Sequence, residues 1–594
     1  MATDTDSIQK NNRSEFQLDN EVSSLSEPQQ FAPELENNDE EAQRVRTHNT
    51  IEDAGDGTKA SDQLLHGVPL ILCAVSLLLC MFLVALDQTI IVTLLSTVGN
   101  KFGDFGKISW ISSGFLLPTA ILAMNWGKIS LIFGRKYTML VAIILFEVGS
   151  LICALCNSMD MLIGGRVIAG IGGGGIQVMV FVILTEIVSI EKRGIIQGLV
   201  AISFAVASVV GPLVGGAFTE HVSFRWCFYI NLPIGGVAFA CIWWFFNPPL
   251  PKGTLKEKLL KIDYIGTVLL AVGLVLVLLA LTFGSISTPW NSALVISFFT
   301  IGGVVVVAFI AYNFSLSKNP LLPWVVVRVW RVDVVCVAFF MTFGSFMAAV
   351  LYLSTFFQVV LNADAMHSGI DLLPMIIPVV LCSASGGIFI SKTGITKPIA
   401  IAGAVFATVG FGLCSLLDEH SSSSKRIGYL IVPGIGVGLS FQSLTLNAQL
   451  AAPKQNGGVL IATSMIAFSR SIGGVIGSTV GQTIQSVSFK TSLKEIKGIP
   501  STVDLTQLVN SPELIRTLPQ EVQGPIIQAF IKAFHRVMYF AIAMAGVAFI
   551  TELFFTNQRI PIGQKQGPPA PAQPDTNKLE KSDSMLEPTK EQSD

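Results

Sequence analysis

One stretch decides the fold: Met161-Leu-Ile-Gly-Gly-Arg166-Val-Ile-Ala-Gly-Ile-Gly-Gly-Gly-Gly-Ile-Gln177. It is apolar enough to lie in a membrane, yet it carries a cation at its centre. Such a cation costs roughly 2.5–3.5 kcal/mol, so it is kept only where it faces a protein interior or a wet cavity. Asp87 lies in a second apolar stretch, Phe82-Leu-Val-Ala-Leu-Asp87-Gln-Thr-Ile-Ile-Val92. Opposite charges in two spans predict a membrane transporter whose working step is protonation.

The composition places the whole chain in the membrane class. It has 594 residues, of which 51% are apolar and 13% charged, whereas soluble proteins carry about 25% charged residues. Residues 1–65 hold 15 Asp and Glu against five Lys and Arg, with no helical apolar period. We therefore predict a disordered acidic tail at 1–65. A second disordered tail is predicted at 557–594, where Pro, Lys and Glu are frequent.

Apolar stretches of about 20 residues, each long enough to cross a bilayer, recur fourteen times. We divide them into an N-terminal six-helix half at 66–250, two extra central helices at 251–320 and a C-terminal six-helix half at 321–556. The last half includes a loop at 487–534 outside the cytosol, helical around Gln520–Ala533. Short loops after even-numbered spans contain fifteen Lys and Arg, and those after odd-numbered spans five, which predicts that both termini are cytosolic.

An internal repeat relates the two halves. Gly127 and Gly134, seven residues apart and followed by bases, recur as Gly387 and Gly394. The glycines of Gly170-Ile-Gly-Gly-Gly174 likewise recur in Gly434-Ile-Gly-Val-Gly438. This pattern predicts parallel pseudo-repeats with a cavity between them. Leu430 occupies the position of Arg166, which suggests that ion coupling resides in the N-terminal half.

These motifs resemble the major facilitator superfamily, in particular its fungal fourteen-spanner drug:proton antiporter branch, which includes toxin and multidrug exporters and vacuolar basic amino acid transporters. The resemblance covers about residues 66–556. It is carried by Leu86–Val92, Gly127–Lys136, Arg166–Gly175, Gly198 with Ser208–Gly216, and Arg225–Gly236. It implies an all-α membrane protein of the major facilitator fold, with fourteen transmembrane helices arranged as six, two and six.

The chain departs from the branch pattern at two positions. Leu131 stands where the loop motif of Gly127–Lys136 has an acidic residue, so the charge relay of that loop is incomplete. Ala207 stands where the antiporter motif has a further glycine, a change small enough to keep close packing.

Three ionisable residues are candidates for proton coupling: Asp87, Arg166 and Glu147. Desolvation disfavours the charged form of a carboxylate, so Asp87 is expected to carry the proton, although it could instead be a structural carboxylate bonded to neighbouring helices. The family implicates the span-four arginine in proton transfer, and Arg166 stays charged, so it would tune the proton affinity of a nearby acid. Glu186 is expected to be a solvated interfacial acid, and Arg470 to snorkel or pack near the inner face.

The architecture predicts two further sets of site residues. Polar residues in spans one, four, nine and twelve would line a substrate cavity amid apolar walls, or make interhelical hydrogen bonds instead: Gln88, Thr89, Gln177, Tyr352, Gln358, Gln442 and Asn447. Residues of the loop and antiporter motifs would control gating and packing: Gly127, Gly134, Arg135, Lys136, Gly211, Pro212, Gly215 and Gly216.

Other classes of protein are disfavoured. The sequence has no P-loop motif, and its Gly-x-Gly-x-x-Gly string at 170–175 lies in a membrane span, where glycines serve close helix packing. Cys153 and Cys156 have no companion pair, so we predict no metal site. We expect no enzymatic activity, no cofactor and no nucleic-acid partner.

The sequence therefore predicts a proton-coupled antiporter. It would export drugs, toxins or secondary metabolites across the fungal plasma membrane and function as a monomer, with protons, a small-molecule substrate and the bilayer as partners. Two alternatives remain open. One is a vacuolar transporter of basic amino acids, and the other is a membrane nutrient sensor that signals through its acidic tail.

Overall fold

The computed structural model describes residues 65–102, 107–188, 193–251, 254–286, 288–363, 365–453, 457–496, 515 and 518–555. The tails predicted at 1–65 and 557–594 lie outside this range, apart from Leu65. Within it, fourteen helical spans are long and apolar enough to cross a membrane, which confirms the predicted number. They are α1 (Gly67–Phe102), α2 (Ile108–Phe133), α3 (Arg135–Leu155), α4 (Met159–Glu186), α5 (Arg193–His221), α6 (Asn231–Phe245), α7 (Tyr264–Ile286), α8 (Ala293–Ser315), α9 (Trp330–Val360), α10 (Leu373–Thr393), α11 (Lys397–Cys414), α12 (Ser423–Ala451), α13 (Gly458–Lys494) and α14 (Gln520–Leu553).

Short helices join some of the spans. Trp226–Tyr229 precedes α6 and completes the sixth span, while Leu255–Leu260, Trp324–Val327 and Ala365–Asp371 lie between longer helices. Odd-numbered helices begin at the face where α1 begins, and even-numbered helices end there. We call this side the terminal face and the other side the opposite face.

The segment predicted as a loop at 487–534 is helical at both ends. Helix α13 continues to Lys494, and α14 already begins at Gln520, so the predicted helix around Gln520–Ala533 is the first part of α14. The two extensions are held together by apolar burial, because the rings of Phe489 and Phe530 meet edge to face at 5.5 Å and both are at most 1% exposed.

The glycines of α4 and α12 allow the same close approach in each half. A Cβ at Gly170 would meet the backbone of Phe115 in α2, and a Cβ at Gly434 would meet the backbone of Met375 in α10. Phe115 and Met375 are 260 residues apart, close to the spacing of 264 between the two glycines. The packing thus repeats in the two halves.

The loop glycines repeat as well. Gly134 ends α2 with φ +95°, and Gly394 ends α10 with φ +71°. Only glycine adopts positive φ readily, so a glycine ends the second helix of each half, although ψ differs between the two (151° at Gly134 and 3° at Gly394).

A substitution that tests the glycine packing is Gly172→Ala. Its Cβ would lie 2.6 Å from the Ala142 carbonyl oxygen and also meet the backbone of Phe146 in α3. Overpacking of this kind costs about 1–3 kcal/mol, so we expect a lower thermal unfolding temperature in detergent. Gly164→Ala is the control, because nothing lies within 4 Å of its Cβ and removal of a helical glycine stabilises by up to about 1 kcal/mol. Equal unfolding temperatures for the two variants would contradict this packing.

The two halves meet along α2 with α13 and along α5 with α10. Near the terminal face, a Cβ at Gly127 would overlap the side chain of Ser464 in α13. In the second contact, a Cβ at Gly198 would lie 2.8 Å from Ala384 Cα in α10. The extra helices α7 and α8 pack against each other, and α7 also packs on α2 and α13. The extra pair therefore lies beside the two halves.

Candidate functional site

Asp87 in α1 and Arg166 in α4 form a buried ion pair. Arg166 Nη1 lies 2.5 Å from Asp87 Oδ2, and both residues are 1% exposed. Arg166 is seven residues from the start of α4 at the opposite face, a depth of about 10 Å along the helix. The two charges that the sequence places in separate spans are therefore direct partners, nearer the opposite face than the terminal face.

The second oxygen of Asp87 faces an amide from α6. Asn231 Nδ2 lies 3.4 Å from Asp87 Oδ1 and donates to Ser150 Oγ in α3 at 3.1 Å. Asn231 is fully buried. We did not single it out from the sequence, although it is the one strongly polar side chain in the apolar run Ile230–Gly236.

Helix α2 completes the surroundings of the cation. Arg166 Nε donates to the Ile111 carbonyl oxygen at 3.1 Å, and the guanidinium lies 4.4 Å from the centre of the Phe115 ring. Helices α1, α2, α3, α4 and α6 therefore all contribute to one polar cluster in an apolar surrounding. A change in the charge of Asp87 would therefore alter a set of contacts to which all five helices contribute.

Thr89, two residues after Asp87 in α1, packs against α5. The Thr89 hydroxyl lies 3.0 Å from the Ala85 carbonyl oxygen and 3.2 Å from that of Ala207 in α5. A Cβ at Gly211 would overlap the Thr89 side chain. Thr89, predicted for the cavity, thus lies in a helix contact, and Gln88 beside it is half-buried. The other predicted packing residues of α5 are Pro212, Gly215 and Gly216. The side chain of Pro212 lies outside the described residues. The Gly215 carbonyl accepts from Thr219 at 2.6 Å, and nothing lies within 4 Å of a Cβ at Gly216.

Glu147 lies on α3 one turn before Ser150, on the side of the terminal face. Both of its carboxylate oxygens are buried, and among the described residues neither has a hydrogen-bond partner. The side chain is directed at Gly235 in α6, because a Cβ there would overlap Glu147 Oε1. Glu147 therefore lies at the contact between α3 and α6, on the same side of α3 as Ser150.

The loop motif forms a second charged cluster, at the terminal face. Arg135 Nη2 lies 2.9 Å from Glu186 Oε1, with Arg135 buried and Glu186 19% exposed. Lys136 donates to the Trp243 carbonyl oxygen at 2.6 Å and to Asn247 Oδ1. The solvated acid predicted at Glu186 is therefore an ion-pair partner. The sequence does not show this pairing, because the two residues are 51 positions apart.

The remaining motif positions lie beside this cluster. Leu131, which replaces the family's acid, is half-buried against the apolar core of the N-terminal half. Gly134 lies against Leu250 and Pro251, and Gly127 lies against α13. The acidic partner of Arg135 therefore belongs to α4 and not to the loop.

The polar residues predicted for a cavity in the C-terminal half lie at different depths. Gln358 donates to Ser368 Oγ at 3.0 Å near the opposite face. Asn447 accepts from Thr396 at 2.8 Å near the terminal face. Tyr352 and Gln442 are buried between these levels, with 9% and 2% exposed. The structure does not bring these residues into one cluster.

Arg470 differs from its predicted place near the inner face. It lies twelve residues after the start of α13, a depth of about 18 Å. Its Nη2 donates to Gln177 Oε1 in α4 at 3.3 Å, so the two halves touch at this side chain. This position lies well inside the membrane-spanning part of α13 and not at its inner end.

Proteins of similar sequence and structure agree with this architecture. A family model described as Major Facilitator Superfamily matches residues 77–478. The chain is 32% identical to vacuolar basic amino acid transporter 5 of Saccharomyces cerevisiae, covering 87% of this chain and 96% of that protein. It is 33% identical to azole resistance protein 1 of the same yeast, covering 85% and 91%. A bacterial homologue of the human lysosomal transporter Spinster, solved in an inward-facing, unoccupied conformation, matches with a TM-score of 0.51 at 14% identity and covers 84% of this chain and 100% of its own. That likeness concerns the fold alone.

Proposed function

Because the chain belongs to the major facilitator superfamily and is a multi-pass membrane transporter and not an enzyme, we propose that it is a proton-coupled antiporter. Its cargo would be small organic compounds such as drugs, toxins or secondary metabolites. The observation that carries this proposal is the buried pair of Asp87 and Arg166. A buried carboxylate held by a fixed cation is suited to exchange a proton, since intramembrane ionisable groups mark proton pathways.

Protonation of Asp87 would change the contacts of α1. A neutral carboxyl group loses the ionic attraction to Arg166, whereas Arg166 keeps its hydrogen bond to Ile111 and its contact with Phe115. The contacts with α2 continue to stabilise the cation, while the ion pair no longer holds α1 to α4. The proton thus favours one arrangement of these helices and the ion pair the other, as alternating access requires.

A path for the proton extends from Asp87 toward the terminal face. Asn231 and Ser150 link Asp87 to the surface of α3 and α6 on which Glu147 lies one turn deeper. Glu147 has a buried carboxylate that the described residues leave without a hydrogen bond. We assign Glu147 as the second proton acceptor, between Asp87 and the terminal face.

The terminal face would be cytosolic, because its short loops carry the excess of Lys and Arg. The contact of Gly127 with Ser464 and the pair of Arg135 with Glu186 lie at this face and would act in its gate. Cargo leaves through the opposite face as the proton enters. One chain supplies both halves and the whole cluster, which supports action as a monomer. Export from the cell would place the protein in the plasma membrane.

The proposal is tested in liposomes that contain the purified full chain and an acidic lumen. Fluorescent dyes of different charge and radiolabelled lysine and arginine are offered outside. We expect a dye to accumulate, and the accumulation to collapse when a protonophore removes the gradient. Uptake that is unchanged by the protonophore would exclude proton coupling.

The alternative is a vacuolar transporter of basic amino acids, favoured by the similarity to vacuolar basic amino acid transporter 5. Fluorescence microscopy of the tagged chain in fungal cells, with lysine and arginine uptake by isolated vacuoles, separates the two functions. Our proposal predicts a signal at the plasma membrane and no dependence of vacuolar uptake on the chain.

A further inference from the structure

Arg470 places a cation between the two halves, in the middle of the membrane. It belongs to α13 of the C-terminal half, and it donates to Gln177 in α4 of the N-terminal half. The side chain is only half-buried although it lies about 18 Å from the terminal face along α13. It therefore borders space between the halves and is not sealed into a helix contact.

Among the described residues, no acidic group pairs with this cation. In the described part of the chain, Arg470 makes no ion pair, and its one hydrogen bond goes to a neutral amide at 3.3 Å. By contrast, Arg166 holds Asp87, and Arg135 holds Glu186. A guanidinium carries five N–H donors, and a charge removed from water is costly unless it is paired. Arg470 is thus an anion-binding group whose partner is not supplied by the described residues.

Aromatic rings form the walls around the cation. Its guanidinium lies 5.4 Å from the centre of the Phe181 ring in α4 and 5.2 Å from that of Phe343 in α9. The Phe343 ring in turn packs on Phe441 and Phe346, at 5.5 and 6.0 Å. Ring faces stabilise a cation in part but offer it no acceptor. A site with one cation and several rings suits a ligand that has an anionic group on an apolar or aromatic body.

We propose that Arg470, with Phe181 and Phe343, binds the anionic group of the cargo, so that the transported compounds are amphipathic organic anions such as aromatic carboxylates. This inference rests on the proposed transport function and names its substrate class. The carboxylate docks on the guanidinium, and the apolar body lies along the phenylalanines. The same positive charge repels lysine and arginine, so the site disfavours the basic cargo of the vacuolar alternative.

Three probes with one ring system test this substrate class: naphthaleneacetate, naphthaleneacetamide and (aminomethyl)naphthalene, which are anionic, neutral and cationic at neutral pH. Binding to the purified full chain is measured by isothermal titration calorimetry. We expect the wild-type chain to bind the carboxylate about tenfold tighter than the amide, and the ammonium probe most weakly, because charge-assisted bonds are the stronger ones. Arg470→Gln should remove the preference for the carboxylate and keep the affinity for the amide, and Arg470→Lys should retain part of the preference.

The control variant is Arg536→Gln, because Arg536 in α14 bonds to the Ser488 hydroxyl within its own half, and it should leave the preference unchanged. A wild-type chain that binds the amide or the ammonium probe at least as tightly as the carboxylate overturns the proposal, whether or not any variant folds. So does a full carboxylate preference in Arg470→Gln. Binding is measured without a gradient, so a carboxylate preference without gradient-driven transport would reject the proton coupling and leave this site in place.

Discussion

Asp87→Asn is expected to abolish gradient-driven accumulation of cargo and to leave cargo exchange intact. Asparagine is neutral and nearly the same size as aspartate, and its amide oxygen can still accept from Arg166 or Asn231, so the variant mimics the protonated state of Asp87. It cannot take up a proton, so the pH gradient no longer biases the cycle. In acid-loaded liposomes, accumulation should fall to the level of empty vesicles. In a counterflow assay without a gradient, exchange of labelled for unlabelled cargo should continue.

The control for this variant is Asp160→Asn. Asp160 lies in the first turn of the same helix as Arg166 and pairs with Lys107 at 2.8 Å, but its side chain is 75% exposed. Exposed pairs contribute about 0–1 kcal/mol, so accumulation should match that of the wild-type chain. If Asp87→Asn also accumulates cargo normally, the proton is carried elsewhere.

Arg166→Gln is expected to destabilise the chain by about 3–5 kcal/mol, because it leaves the Asp87 carboxylate buried without its cation. The double variant Asp87→Asn with Arg166→Gln removes both charges and should recover much of this loss. Unfolding free energies of the four chains, measured with denaturant in mild detergent, give the coupling between the two residues.

The exposed pair of Lys107 and Asp160 provides the matched comparison. Its double-mutant cycle should show a coupling below about 1 kcal/mol. Additive losses at Asp87 and Arg166, as at an exposed pair, would mean that the two side chains are not ionic partners in the membrane.

The number of spans and the repeat could be predicted from the sequence because they depend on local patterns. Apolar length defines a span, and glycine spacing defines which helices can approach closely. The recurrence of Gly127 and Gly134 as Gly387 and Gly394 predicted the repeat, and α2 and α10 each end at such a glycine with positive φ. The extension of α13 through Phe489 was missed, since its burial against Phe530 depends on a contact between two distant segments.

The candidate site could be predicted only in part. Asp87 and Arg166 stand out because charges in apolar stretches are costly, but Asn231 and Glu186 acquire their roles from partners on other helices. The sequence assigns a residue to a span but not to a depth or a face. For that reason Gln358 and Asn447, predicted for one cavity, lie near opposite faces of the molecule.

The most direct test of the central claim is to count the protons released when cargo binds. The purified chain in weakly buffered detergent solution is mixed with a transported compound, and a pH indicator reports the release. Antiport through Asp87 predicts about one proton per bound cargo at most, and no release from Asp87→Asn even though cargo still binds. Equal proton release from both chains, or none from the wild-type chain, would contradict the account.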